Sequence, residues 1–599
     1  MTLNPTLDRT LKLTLTWLRL IHPLRRSTMD RKNGKPPTDS AEDPENQVRL
    51  PGEVMNPFAD IPARPWFKRY TWPVILLAFG GLLRVLMWRG ISISDPGTYT
   101  ELAYQLSEGR LQLGHAASVR LGVYAPAALV IRMLGVSDLS VGLIPFLASM
   151  GTILLAYFLG RRFGNEVTGR WSGLLVAALP IEIAHATCLF PEAMLTFWTL
   201  LAIWMITAAE ERRPLSGIGM ALGAGLATGL AYITKVSGII VVPLLLAWLL
   251  ARPGCRMRML PFLAGCMVVA AVEMLLFLHW TGDPLFSWRA VSAQQASMLE
   301  ASVAEQAYQS LWIYPRDLLL DSRFAFVFLA WLIGLPLWIR HHQSRFPVAW
   351  LLVFFLFLQF GSSSWRTYTP VPHLPRYLSL IVVPLVICTA QSWCGHRQQG
   401  GLHRRGFVAA AMITALLLAA LLYRFSHGIL PVLSDRLVAV CAACACLLTG
   451  VVAAHKRNRQ VWYALPMIFV ILFGCLSAIR DSREYREGDN IRHAFRYFNA
   501  HPPSAPIYAD SRTRSGLLMF WNYDPPVPLR ELPERPQPDP LDPGSYVVIN
   551  WTQIMFSRLT YGRPFPDYLR TANWPAMWDE QFRLAPKGNL RALVIVRVR

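Results

Sequence analysis

Five ionisable residues stand at the ends of apolar runs, where water gives way to lipid and a charge is costly unless it has a partner or a function. Asp95 follows the first run, in Ser94-Asp95-Pro96-Gly97-Thr98-Tyr99. A carboxylate held there could take the proton of a hydroxyl or amine acceptor; it could equally cap the helix that Pro96 begins. Glu192, in Cys188-Leu189-Phe190-Pro191-Glu192, could orient an acceptor or hold a divalent ion together with Asp95, or it could be a solvated acid that starts a helix. Lys235, in Ala231-Tyr232-Ile233-Thr234-Lys235, interrupts two apolar runs and either meets a lipid phosphate or snorkels to the headgroup region. Arg376, in His373-Leu374-Pro375-Arg376-Tyr377, and Arg120, before Leu121-Gly122-Val123-Tyr124, fall on the same side. Three cations with two carboxylates suit an anionic lipid headgroup and acid–base chemistry.

Other candidates read as structural. Arg84, inside the first run, either joins this group or pairs with an internal acid. Glu182-x-x-His185 puts two ligand types on one helical face, and the bland reading, a buried hydrogen-bonded pair, is preferred to a metal site. Cys441-x-x-Cys444-x-Cys446 has metal-like spacing, but it lies in the middle of a run of Ala and Leu with no His near it, the pattern of small packing residues.

The elements that must hold these residues are helices in a membrane. The chain has 599 residues, 53% of them hydrophobic and 16% charged, with a mean hydropathy of +0.33. Soluble domains carry roughly a quarter charged residues. Apolar runs of near-spanning length occupy residues 70–88, 139–159, 171–190, 193–209, 216–234, 237–251, 259–280, 323–339, 347–360, 378–392, 407–423, 437–454 and 461–478. A lipid-exposed backbone must satisfy its own hydrogen bonds, and the runs do not alternate as barrel strands do, so they predict about 13 transmembrane helices.

The net charge of +21 first suggests nucleic acid as a partner, but its distribution removes that reading. Six short loops, 161–170, 210–213, 252–258, 340–346, 393–406 and 455–460, hold 16 bases and only 3 acids, which is the whole excess of the membrane part. These loops are cytoplasmic by the positive-inside rule. The first span then enters from the cytoplasm, and an odd number of spans puts the C-terminal residues outside.

Residues 1–69 are polar and Pro-rich and read as a largely disordered cytoplasmic segment; residues 11–24 could lie on the membrane as a basic amphipathic helix, and Met29 is an alternative start. Residues 70–479 form the multi-span membrane domain, with long outward loops at 89–138 and 281–322. The first loop is expected to hold a helix at 98–109 and an apolar one at 123–134. Residues 480–599 change composition and predict a small extracytoplasmic α/β domain, with helices at 490–500 and 513–522, strands at 506–509, 545–550 and 593–598, and a proline-dense loop at 525–543. None of the nine cysteines lies in it.

Taken in order, these residues resemble the GT-C glycosyltransferases, in the bacterial branch related to protein mannosyltransferases and to the aminoarabinose transferases of lipid A. The pieces are Asp95-Pro96-Gly97-Thr98-Tyr99, Arg120-x-x-x-Tyr124-x-Pro126, Gly160-Arg161-Arg162-Phe163-Gly164, Pro191-Glu192, Thr234-Lys235, Gly282-Asp283-Pro284 and Pro375-Arg376-Tyr377-Leu378. The resemblance implies an enzyme of the bacterial inner membrane that moves a sugar from a polyprenyl-phosphate donor to an envelope lipid, glycan or protein on the outer face. It implies Asp95 as the catalytic general base and Glu192 as a second catalytic carboxylate, and Tyr99, Arg120, Lys235, Arg376 and Tyr377 as substrate-binding residues, with a divalent metal ion a possible cofactor. The chain departs from the pattern at Pro96, where many relatives have a second acid, and at Thr98, where the aminoarabinose enzymes have Arg. The sugar therefore stays unassigned. Competing readings are a flippase for polyprenyl-linked sugars, against which stand the long outward loops and the absence of an internal repeat, and an inactive scaffold of the same fold.

Overall fold

The computed structural model describes residues 66–114, 116–212, 214–302, 313–340, 345–362, 373–394, 460–484, 489–533, 541–555, 569, 574, 578–586 and 592–599. The apolar runs at 407–423 and 437–454, the three-cysteine cluster, the segment 11–24 and Met29 lie outside the described residues. The described residues from Phe67 onward form one compact unit.

Each of the eleven remaining apolar runs is mainly helical. They fall on α1 (Trp66–Leu86), α4 (Asp138–Phe163), α5 (Glu166–Ala178) with α6 (Pro180–His185), α7 (Pro191–Ala209), α8 (Pro214–Thr234), α9 (Val241–Leu250), α10 (Met259–Thr281), α13 (Val327–Arg340), α14 (Phe346–Phe360), α15 (Ser379–Cys394) and α16 (Gln460–Glu484). Run 171–190 is thus two helices rather than one. The break falls at Leu179-Pro180, where Leu179 leaves the helical region with ψ 124°, as a residue before proline tends to. Among the described residues, five helical segments are long and apolar enough to cross a bilayer: Asp138–Phe163, Pro191–Ala209, Leu215–Thr234, Pro253–Thr281 and Pro375–Cys394.

The two long segments expected from sequence to be outward loops, 89–138 and 281–322, carry α2 (Asp95–Ser107) and α3 (Leu121–Leu134), and α11 (Phe286–Ser302) and α12 (Ile313–Leu320). Helix α2 begins three residues earlier than the sequence suggested, because Asp95 and Pro96 occupy its first turn.

Helix α15 sits at the centre, with all sixteen residues buried. Most of its polar side chains find partners in neighbouring segments or on the helix itself: Gln391 donates to the Phe163 carbonyl at 2.7 Å and Trp393 Nε1 to the Ala330 carbonyl at 2.9 Å, as buried polar groups tend to, while the Ser379 hydroxyl is buried without a partner among the described residues. Helices α8 and α10 touch backbone to backbone. A Cβ on Gly225 would meet the Phe262 carbonyl oxygen at 2.0 Å, and such small-residue contacts are how helices pack where lipid removes the hydrophobic drive.

Three of the basic loops lie against one another. Arg162 pairs with Glu211 at 3.1 Å and Arg252 with Glu210 at 3.1 Å, while Arg258 donates to the Arg212 carbonyl. Helix α7 runs from Glu192 to this basic end, and at 1.5 Å per residue its 19 residues separate the two by about 28 Å.

The C-terminal part holds α17 (Asp489–Ala500), α18 (Ser511–Phe520) and one sheet of β1 (Ile507–Ala509), β2 (Leu529–Glu531), β3 (Tyr546–Asn550), β4 (Trp578–Leu584) and β5 (Leu593–Val598), in the order β2-β1-β3-β5-β4. Strand β1 is parallel to β2 and β3, while β5 is antiparallel to β3 and β4. The central strands are nearly all buried and are those the composition predicted. The two edge strands were not predicted. β2 interrupts the proline-dense stretch, and β4 reads Trp-Asp-Glu-Gln-Phe-Arg-Leu, polar because an edge needs little apolar surface and charged edges resist further pairing.

Candidate active site

Proline places the site acids. Asp95-Pro96 forms the first turn of α2, Pro191-Glu192 the first turn of α7, and Pro375-Arg376 opens a short 3-10 turn, Pro375–Leu378. Proline suits a first helical turn because its missing N–H would have no partner there anyway. Both carboxylates thus sit at the positive ends of helices, which favours their charged form. Lys235 follows the last residue of α8, at the negative end, and its N–H donates to the Ala231 carbonyl at 3.0 Å. Helix polarity and side-chain charge agree at all three positions.

Tertiary packing joins them. Arg376 Nη2 lies 2.9 Å from Asp95 Oδ2, and its Nε lies 3.8 Å from Glu192 Oε1. Lys235 Nζ donates to the same Glu192 oxygen at 2.9 Å and lies 3.5 Å from the centroid of the Tyr377 ring, a cation–π distance. The Arg376 guanidinium is 5.5 Å from the Phe190 ring and 5.8 Å from the Tyr377 ring. Arg120 donates to the Tyr99 hydroxyl. Gly122 brings Arg120 to the group, since a Cβ there would stand 2.3 Å from Thr234 Oγ1 and 2.8 Å from the Thr234 backbone nitrogen. The seven residues singled out from sequence therefore form two linked contacts, Asp95–Arg376–Glu192–Lys235–Tyr377 and Tyr99–Arg120.

Their exposure differs in a way that separates tasks. The Asp95 side chain is 42% exposed and that of Arg376 29%, whereas Glu192 is 2% exposed. Glu192 Oε2 is buried without a hydrogen-bond partner among the described residues, and so is Arg376 Nε. Such orphaned groups are expensive in a folded protein, and these two leave hydrogen-bonding capacity unused beside the part-exposed Asp95–Arg376 pair. Burial pushes the Tyr99 phenol well above its usual range, with Arg120 offsetting part of the shift, so Tyr99 is protonated at neutral pH.

Several alternatives left open by sequence are decided here. Asp95 is not a cap: the N-cap residue is Ser94, at φ 75° and ψ −143°, and it makes no side-chain capping bond. Glu192 starts a helix but is not solvated. Lys235 does not snorkel; it is buried on Glu192. Arg84 stays out of the site, fully buried and bonded to Ser149 Oγ at 2.7 Å and to the Gly80 and Ala177 carbonyls. Glu182 and His185 are not a hydrogen-bonded pair; Glu182 Oε1 and His185 Nδ1 are each buried without a partner among the described residues. Both lie in the six-residue helix α6, at the i,i+3 spacing the sequence suggested, yet they do not bond to each other.

No three His, Cys, Asp or Glu residues gather as a metal site among the described residues. The donor set does not fit a divalent ion either, because the Arg376 guanidinium already stands between the two carboxylates. Sequence reasoning missed Phe190, whose ring lies beneath Arg376. It also missed Ser94, whose strained backbone leaves no mark on residue type.

Comparison with known proteins follows the same outline. Residues 121–280 match the family described as dolichyl-phosphate-mannose-protein mannosyltransferase, a stretch that contains Glu192 and Lys235. The chain is 24% identical to undecaprenyl phosphate-alpha-4-amino-4-deoxy-L-arabinose arabinosyl transferase 1 of Pseudomonas fluorescens, over 62% of this chain and 68% of that one. It is 27% identical to lipid A galacturonosyltransferase RgtD of Rhizobium johnstonii, over 32% of this chain and 42% of that one. Among solved structures it superposes on ArnT from Cupriavidus metallidurans, apo, with a TM-score of 0.57 at 15% identity, covering 88% of this chain and 98% of that one. The same protein bound to undecaprenyl phosphate gives 0.56 at 14% identity, with the same coverage. At these identities the superpositions establish the fold.

Proposed function

We propose that this chain, a GT-C-fold glycosyltransferase of the protein mannosyltransferase and aminoarabinose transferase type, moves a sugar from a polyprenyl-phosphate donor to an envelope lipid, glycan or protein on the outer face of the bacterial inner membrane. The observation that carries the reading is the Asp95–Arg376–Glu192–Lys235 chain of charges at the end of the bundle opposite the clustered basic loops. That separation supports a cytoplasmic N-terminus and an extracytoplasmic domain from residue 480 on. Undecaprenyl phosphate bound to ArnT, a protein of the same fold, supports the same donor class here.

The chemistry follows from charge balance. Asp95 and Glu192 carry two negative charges, and Arg120, Lys235 and Arg376 three positive ones, so the site holds one positive charge in excess. A donor phosphodiester, with one negative charge, balances that excess. As an acceptor oxygen attacks the anomeric carbon, the bond from that carbon to the phosphate oxygen breaks. The lipid phosphate leaves with the electron pair and a second negative charge, which Arg376 and Lys235 neutralise. Asp95 takes the acceptor proton, and its exposure gives that proton a way out to water. The unpartnered Glu192 Oε2 accepts a hydrogen bond from a substrate hydroxyl. Tyr99 and Arg120 meet the phosphate from the other side.

The test is to express wild type and Asp95→Asn in a strain lacking the gene and to profile lipid, polysaccharide and protein glycans. Wild type should restore a product that the variant does not. Identical products from both would remove Asp95 as the base. Accumulation of undelivered carrier on the cytoplasmic face of the deletion strain would favour a flippase instead.

A further inference from the structure

The helix that presents Asp95 is held from outside by a segment that lies hundreds of residues later in the chain. Met519, the penultimate residue of α18, is 2% exposed and packs in the cluster that contains Tyr99, Leu102 and Ala103 of α2. Its Cε lies 3.0 Å from where a Cβ on Gly97 would stand, so Met519 occupies the space glycine leaves in the first turns of α2. Near the other end of the helix the Tyr523 ring stacks on Tyr104, with centroids 4.1 Å apart and planes 8° from parallel. Between them, Asn522 Oδ1 accepts a hydrogen bond from the Val136 N–H at 2.7 Å, tying down the far end of the first outward loop. Arg492 of α17 holds the near end, reaching the Arg89 and Ile91 carbonyls and Asp138 Oδ1.

Backbone strain sits on both sides of this contact. Asn522 and Tyr523 have φ of 51° and 60°, and Ser94, immediately before Asp95, has φ of 75°. Asparagine tolerates the left-handed region, but a tyrosine there is a genuine outlier. Strain of this kind persists only where surrounding contacts over-determine it, and it clusters at functional sites. The left-handed pair turns the chain out of α18, with Tyr523 N–H donating to the Leu518 carbonyl at 2.7 Å, and delivers the Tyr523 ring onto α2.

We propose that Tyr523, supported by Met519 and Asn522, is a positioning residue that fixes α2 so that Asp95 faces the reacting acceptor. The proposal rests on Asp95 as the base. By this assignment the C-terminal domain belongs to the catalytic unit and is not an appended module. The ring matters and the hydroxyl does not, because Tyr523 Oη is buried without a hydrogen-bond partner among the described residues.

The experiment compares full-length wild type, Tyr523→Phe, Tyr523→Leu, Tyr523→Ala and Asp95→Asn. It reads three quantities: hydrogen exchange across residues 95–107 in detergent, undecaprenyl phosphate binding, and product glycan per cell at matched protein level in the deletion strain. Expected for Tyr523→Ala are exchange at least tenfold faster in α2 with α4 and α7 unchanged, product reduced at least tenfold, and lipid binding within twofold of wild type. Tyr523→Phe should match wild type in all three. Unchanged α2 exchange in Tyr523→Ala overturns the proposal, as does a parallel loss of lipid binding and product. If Tyr523→Ala fails to fold, Tyr523→Leu is held to the same outcomes. Should α2 loosen while Asp95→Asn keeps its product, the assignment of Asp95 is what fails; should Asp95→Asn be inactive while α2 stays protected, only the positioning role fails.

Discussion

Arg376 holds Asp95 in an ion pair of 2.9 Å while the other edge of its guanidinium faces Glu192 at 3.8 Å. The acid proposed as the base is therefore masked by the cation proposed to meet the donor, and an arriving phosphate competes for that cation. Donor binding should accordingly unmask the base. Arg376→Ala is expected to weaken undecaprenyl phosphate binding by about tenfold to a hundredfold, the range for losing a hydrogen bond to a charged group. Titration of the purified protein with the lipid measures it, and unchanged affinity would show that Arg376 does not meet the phosphate.

Asp95→Asn removes the proton acceptor but keeps the shape of the side chain. Product formation should fall by about a hundredfold or more, the usual share of general base catalysis. Lipid binding should stay or tighten, because Arg376 is released. Quantifying product glycan at matched expression, beside lipid titration, separates the two effects.

Glu192 serves two cations and Lys235 serves one acid, so the single variants should differ. Glu192→Gln strands the buried Lys235 and leaves Arg376 with Asp95 alone, and should destabilise by about 3–5 kcal/mol, the cost of breaking a buried pair. Lys235→Met leaves Glu192 with Arg376 and should cost less. The double variant should cost less than the sum of the two. Thermal unfolding in detergent checks the order; Lys235→Met being the more damaging would contradict the arrangement.

Gly122→Ala should act on the site without touching it. The added methyl would overlap the Thr234 backbone nitrogen at 2.8 Å, and backbone cannot rotate out of the way as a side chain can. A cost of about 1–3 kcal/mol is expected from the overpacking, together with weaker lipid binding, since Lys235 is the next residue. Ala128→Gly, on the same helix, is the comparison for helix damage alone and should leave lipid affinity unchanged.

Asp510 caps α18 by accepting from the Arg512 and Thr513 N–H groups at 3.2 and 3.0 Å, yet burial raises its carboxyl above the usual range, more than those bonds lower it. A raised folded-state pKa means that the folded protein binds the extra proton, so this contribution to stability is largest at low pH and is lost as pH rises through the shifted value. Asp510→Asn keeps a good cap and removes the charge. It should be at least as stable as wild type at pH 7, and its advantage should vanish near pH 4. Unfolding temperatures across pH 4–8 would show it, and an advantage growing toward pH 4 would reverse the sign.

Much of this protein is legible in order along the chain. Long apolar runs demand helices because lipid offers no hydrogen bonds to a bare backbone, and short basic loops carry orientation because charge crosses a membrane poorly. Each proposed site acid or base stands out for the same reason: Asp95, Glu192, Lys235 and Arg376 are charges at apolar margins, three of them beside prolines that fix where helical turns begin. What each charge does was not legible. Whether Asp95 caps, whether Lys235 snorkels, and whether Arg84 joins the site depend on which partner lies within about 4 Å, the reach of an ion pair, and that is set by how α2, α7, α8 and the turn at Arg376 pack. The edge strands β2 and β4 and the seat of Tyr523 on Tyr104 were hidden for a related reason. Residue patterns report burial and local propensity, whereas an exposed edge, a strained turn and a contact between distant segments exist only once the chain has folded around them.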